Sequence, residues 1–215
     1  PSNENDQVLT FTITNNDNED LFSVLPDISD GLYNASGVLS FTPVDDLGGM
    51  ATITVQLSDD GGTDNAGVDT FAEQIFTITV NPIADTPSIT NADTDEDNQT
   101  TSGLVISRNV VDGDEVTHFQ ITGITNGTLY QNDEVTLISN GDYITYAEGE
   151  LGLKFDPDPD DHSLKSGDGS ITIQAAVGGT ESDLGGEMVT GTITIDAVAD
   201  TPNITDANNN GIFDY

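Results

Sequence analysis

The sequence predicts an all-β protein built as two tandem antiparallel β-sandwiches, and three observations predict it. Apolar residues alternate with polar ones along nearly the whole chain, as half-buried strands require. Clusters of Asn, Asp, Gly and Pro break that alternation roughly every 10 to 20 residues, the spacing of strands in a sandwich. A strand-plus-linker signature also recurs: Ile78 to Thr90 reads ITVNPIADTPSIT and Ile193 to Thr205 reads ITIDAVADTPNIT, placing Asp85 and Asp200 115 residues apart. The echo continues upstream, where Ile53-Thr-Val-Gln answers Ile171-Thr-Ile-Gln and Gly37-Val-Leu-Ser-Phe-Thr-Pro43 answers Leu151-Gly-Leu-Lys-Phe-Asp-Pro157. A repeat this long is a whole domain, since solenoid units are far shorter.

In the first module the alternating runs are Val8–Thr14, Leu21–Leu25, Val38–Phe41, Ala51–Leu57 and Gln74–Val80, all rich in Thr, Val, Ile and Phe. In the second they are Gly103–Ser107, Val116–Ile124, Thr128–Tyr130, Glu134–Ile138, Tyr143–Tyr146, Leu151–Phe155, Ser170–Ala176 and Val189–Ile195. No helix is expected. The modules divide as residues 1–84 and 85–199, with 200–215 a linker or the start of a further module. Taking Phe11 and Phe119 as equivalents, Phe119 follows Pro87 by 32 residues whereas ten residues precede Phe11. The first module therefore lacks a first strand, the counterpart of Gly103–Ser107.

Charge is the second strong signal. Among 215 residues, 39 acidic side chains face three basic ones, for a formal net charge of -36. A polyanion repels phosphates, so neither nucleic acid nor an anionic membrane is a partner. The acidic set holds 29 Asp and 10 Glu, a bias toward the residue of turns and calcium loops. With no Cys, neither disulfides nor thiolate metal sites contribute, and Ca2+ held by oxygen ligands is the staple that remains. No apolar run is long enough to insert into a membrane.

The runs PSNENDQVLTFTITN, GVLSFTPVDDLGGMATITVQLSDDGGT and TFAEQIFTITVNPIADTP of module one resemble the cadherin-like or bacterial Ig-like repeats of very large secreted surface proteins. Module two is similar in its last third and departs in the longer middle segment NGTLYQNDEVTLISNGDYITYAEGEL. The resemblance implies calcium-binding β-sandwiches in multi-repeat bacterial adhesins, including RTX-type adhesins exported by a type I system.

Strand parity predicts where the carboxylates gather. The loop Asp45-Asp46 of module one should face the linker at Asp85 and the opening of module two, Asp93, Asp95, Glu96 and Asp97. Such a junction is either a calcium site or a solvated acidic linker. A second cluster is expected at the lower end of module two from Asp156, Asp158, Asp160 and Asp161, with Asp168, Asp196 and Asp200. Beyond it, Asp206, Asn208 and Asn210 before Gly211 have the spacing of a calcium loop without its closing Glu, or of an Asn-rich linker. Asp59, Asp60, Asp64 and Asp69 lie in a loop that reads as a hairpin turn or as a further cation site.

No nucleophile elbow, zinc-protease or P-loop motif surrounds His118 or His162, and the absence of Trp argues against a sugar-cleaving cleft. The expected function is that of a calcium-stiffened extracellular repeat of a bacterial cell-surface adhesin, monomeric and partnered by neighbouring modules. The alternative makes one module a peptide- or glycan-binding domain, or an ancillary module of a secreted polysaccharide-degrading enzyme.

Overall fold

The computed structural model describes residues 7–29 and 37–200. They form an all-β chain of two compact units. The first unit runs to Ala84 and takes in Val110–Glu115; the second comprises Asp85–Asn109 and the chain from Val116 onward. Val110–Glu115 was expected with the second module. It goes with the first, where the Glu115 carboxylate accepts the Gly48 amide at 2.5 Å.

The first unit has five strands: β1 Leu9–Asn16, β2 Phe22–Ser29, β3 Val38–Pro43, β4 Gly49–Asp59 and β5 Gln74–Val80. One sheet has the order β1-β4-β5, and β2 pairs with β3 in the other. Alternation sets the facing: Ala51, Ile53 and Val55 of β4 are buried while the intervening threonines are more exposed. Leu21, delivered by a short 3-10 turn at Glu19–Leu21, joins Phe22 and Ile78 in the same core.

The second unit contains β6 Ser88–Ile89, β7 Ala92–Asp95, β8 Ile106–Ser107, β9 His118–Thr125, β10 Gly127–Tyr130, β11 Leu137–Ile138, β12 Tyr143–Thr145, β13 Lys154–Pro157, β14 Gly169–Ala176 and β15 Leu184–Asp196. Its main sheet has the order β12-β9-β14-β15-β7; β11-β10-β13 and β6-β8 form the others. Phe119, Ile121, Ile171, Ile173, Ile193 and Ile195 project from the main sheet into a core closed by Leu104, Ile106, Leu129, Leu153 and Phe155.

The register confirms the equivalence of Phe11 and Phe119. Phe11 stands opposite Leu57, four residues beyond Ile53, and Phe119 opposite Ala175, four beyond Ile171.

Three expectations are corrected. Two short helices form where none was expected: α1 Tyr146–Glu150 and α2 Ser163–Ser166. Helix α1 starts on a capping box, in which the Thr145 hydroxyl accepts the Glu148 amide at 3.3 Å and the Glu148 carboxylate accepts the Thr145 amide at 2.6 Å. The Glu134–Ile138 strand shrinks to Leu137–Ile138, because Asp133 holds the Val135 and Thr136 amides in a turn. Module two begins with β6 and β7 rather than at Gly103, and β7 pairs parallel to β15. Among the described residues no helix is long and apolar enough to cross a membrane.

Candidate metal centre

Strand β15 carries the chain toward the end of the second unit, anchored by buried Ile193 and Ile195. Alongside it β7 runs in the same direction, pairing Ala92 with Ile193 and Asp95 with Asp196. At that end the Glu96 amide donates to the Asp196 carbonyl at 2.8 Å, and the Asn98 amide closes a turn on the Asp95 carbonyl at 3.2 Å. Asp97, inside this turn, adopts φ 61°, a left-handed conformation that short polar side chains tolerate. Glu96 points inward at 6 % exposure, and its Oε1 accepts the Val198 amide at 2.6 Å. The buried carboxylate thus clamps the segment that leaves β15.

A second loop reaches the same place from β13. Pro157 is buried, and the Asp158 amide donates to the Asn126 carbonyl at 3.1 Å. The Asp161 amide then closes a turn on the Asp158 carbonyl at 3.1 Å, with Asp160 at φ 53°. The Asp160 amide donates to Asp97 Oδ1 at 3.1 Å. Buried Asp161 faces the protein, accepting from the Ser166 hydroxyl at 2.6 Å and the His162 amide at 3.1 Å. Lys165 donates to the Asp160 carbonyl at 2.6 Å and approaches Asp161 Oδ1 at 3.9 Å.

These two turns and the exit segment bring Asp97, Asp160 and Asp200 together, one carboxylate oxygen of each lying within 4.8 Å of the others. All three are exposed. The donors are hard oxygens only, which fits calcium and fits poorly a metal that prefers imidazole or thiolate. Oxygens bound at 2.3 to 2.6 Å stand no more than about 5 Å apart across the ion, so the three fit one coordination shell.

The structure redistributes the residues singled out in the sequence. Asp93, Asp95, Glu96 and Asp97 were expected beside Asp85. Thr86, next to Asp85, receives the Glu187 amide at 2.9 Å near the start of β15, whereas Asp95 pairs with Asp196 at its end. At about 3.3 Å per residue the two places lie on the order of 25–30 Å apart, too far to share an ion. The physical reason is the parallel course of β7, which carries the opening of the module away from its linker. Asp97 therefore belongs with Asp160 and Asp200, from the second expected cluster.

Asp156 sits within β13 opposite Thr128, Asp158 and Asp168 are exposed beside the cluster's loop, and Glu96 and Asp161 are taken up by internal hydrogen bonds. In the first unit Asp45 and Asp46 form the exposed turn between β3 and β4, with Asp46 at φ 56°. Asp59 caps the local Gly61 amide at 2.7 Å, and Asp60 accepts the amide of Val8, just before β1, at 2.9 Å. Asp206, Asn208 and Asn210 lie outside the described residues. Sequence reasoning passed over Glu115 and buried Asp112, although the run Asp112-Gly-Asp114-Glu115 was a visible acidic signal.

Carboxylates elsewhere show what structural capping does to ionisation. The Thr145 amide, with the Thr145 hydroxyl and Gln131, holds Glu148 below the usual carboxylate range. The Thr52 amide does the same for Asp17, donating to its Oδ1 at 2.6 Å.

No family model matches the chain, and no curated protein matches it. Among solved structures, it is similar to the surface layer protein SbsC, domains 1-6, with 16% identity and a TM-score of 0.32. That similarity covers 98% of this chain and 24% of the other. It is also similar to Drosophila N-cadherin EC1-4, with 15% identity and a TM-score of 0.27, covering 90% of this chain and 42% of that one.

Proposed function

We propose that this chain is a calcium-stiffened extracellular repeat segment of a large bacterial surface adhesin. The observation that carries the calcium reading is the convergence of Asp97, Asp160 and Asp200 from three segments just beyond the end of β15. Two of the three sit in left-handed turns, and Glu96 fixes the exit segment by its Val198 amide. Three like charges this close repel one another, and a divalent cation converts the repulsion into attraction. Asp97 and Asp160 lie in turns between strands while Asp200 lies in the segment after β15, so an ion there fastens that segment to the rest of the unit.

The wider reading follows from the tandem signature at Asp85 and Asp200, the absence of Cys and the net charge of -36. These suit a string of modules outside the cell, held apart and soluble by charge, whose work is reach rather than catalysis. The partners are then neighbouring modules, and the segment is a monomer.

Calorimetric titration of calcium into the full chain, with amide exchange at Val198–Asp200, tests the reading. Binding at submillimolar to millimolar concentration with slowed exchange at the exit supports it. Equal slowing by sodium chloride at matched ionic strength would mean general screening of a polyanion instead.

A further inference from the structure

The two units treat the outer edge of one strand differently. In the second unit the segment Gln99–Leu104 crosses the edge of β13 in a bent course, with Gly103 at φ 89° and Leu104 at φ 51°, before Ile106–Ser107 pairs with β6: the Thr100 amide donates to the Phe155 carbonyl at 2.8 Å, and the Phe155 amide to the Thr100 hydroxyl at 2.9 Å. The Leu153 amide donates to the Leu104 carbonyl at 3.2 Å. Leu104 and Ile106 are fully buried, and with them Phe155 is 0 % and Leu153 1 % exposed.

The sequence echo makes Leu39 and Phe41 of β3 the equivalents of Leu153 and Phe155. Among the described residues β3 has β2 as its sole strand partner. Phe41 is 37 % exposed and Val38 68 %. Beside this edge opens an apolar cleft of about 470 Å³ lined by Phe11, Ile28, Leu39, Leu57, Phe71 and Phe76. Part of the difference is made good within the unit. The register makes Phe76, opposite Ile53, the equivalent of Gly191, opposite Ile171 and packed under Ile89. Phe76 thus supplies from its own strand the bulk that Ile89 brings, while among the described residues of the first unit no segment bonded along β3 takes the place of Leu104 and Ile106.

We propose that the β3 edge and this cleft form an acceptor site for an uncharged peptide segment with apolar side chains two positions apart. The second unit carries the template for that occupant in Gln99–Ser107. A strand edge offers amides and carbonyls that a peptide satisfies, as Thr100 does for Phe155, while its apolar side chains enter the cleft; a small apolar molecule would meet half of that demand.

The probe is the synthetic peptide Gln99–Ser107, which carries no charged side chain, titrated into the full chain. Controls are a scrambled peptide and one carrying Leu104→Asp and Ile106→Asp. The native peptide should bind at least about tenfold more tightly than either control. Amide exchange across Val38–Phe41 should slow about tenfold or more at saturation, with β9 and β14 of the second unit unchanged. Tethering the segment ahead of Gln7 by a flexible Gly/Ser linker, which raises its effective concentration to about millimolar, should raise the Tm by about 4 °C or more over the doubly substituted tether. Equal binding of all peptides, protection elsewhere, or a tether without effect overturns the proposal. So does concentration-dependent dimerisation that protects Val38–Phe41 and leaves no room for the peptide, since the occupant is then a second copy.

Discussion

The amide of Asp160 donates to the side chain of Asp97 at 3.1 Å, joining two left-handed aspartates that lie 63 residues apart. This bond locks the β13 loop to the turn after β7 and leaves both carboxylates beside that of Asp200. The turns are built so that two side chains of like charge meet, an arrangement a fold otherwise avoids.

Changing Asp97 and Asp160 together to Asn should remove most of the calcium-dependent rise in Tm. About 10 mM calcium acting on a site of roughly 0.1 to 1 mM affinity stabilises by about 1.4 to 2.7 kcal/mol, and that is the gain to be lost. The same pair of changes at Asp59 and Asp60 should leave it intact. Thermal unfolding with calcium and with EDTA decides; equal loss in both variants counts against the cluster as an ion site.

Asp85 and Asp95 should behave independently. Because they stand near opposite ends of β15, the effects of Asp85→Asn and Asp95→Asn on calcium affinity should add within about 0.5 kcal/mol. A double-mutant cycle by calorimetry measures this, and strong coupling would contradict the parallel placement of β7.

The α1 cap makes stability depend on acid. Glu148 has its pKa lowered in the folded state by the Thr145 amide first, so its contribution is present above about pH 4.5 and is lost as pH falls below that. Glu148→Gln should unfold with a shallower dependence on pH between about 5 and 3, and Thr145→Ala should cost about 1 kcal/mol at neutral pH. Denaturant midpoints across that range test both.

Equivalent phenylalanines should differ in cost. Phe155 is fully buried under Thr100–Leu104, and its replacement by Ala should cost about 3 to 5 kcal/mol. Phe41 packs edge-on against Phe22 at 5.6 Å yet is 37 % exposed, so Phe41→Ala should cost roughly half as much. Urea unfolding of the two variants gives the comparison.

Gly186→Ala should destabilise by at least about 2 kcal/mol. Gly186 holds φ 65°, and an added Cβ would lie 2.4 Å from the backbone of Asp85 and Thr86. A variant of wild-type stability would show that the linker does not pack there.

Much of the fold was legible because it is written locally. The alternation Ala51-Thr-Ile-Thr-Val announces a strand with one buried face, and the echo of Ile53-Thr-Val-Gln in Ile171-Thr-Ile-Gln is matched by the equivalent registers of Phe11 and Phe119. The Thr145-x-x-Glu148 spacing was equally readable as a cap and was passed over. Strand β7 was not readable: in Ala92-Asp-Thr-Asp95 only Ala92 is buried, so no apolar period marks it. The sequence determined that carboxylates gather in turns, since Asp and Gly there favour the bends that strands need between them. Which carboxylates meet was decided by tertiary structure alone, because a parallel pairing between residues about 100 apart leaves no trace in local periodicity and yet sends Asp97 to Asp160 rather than to Asp85.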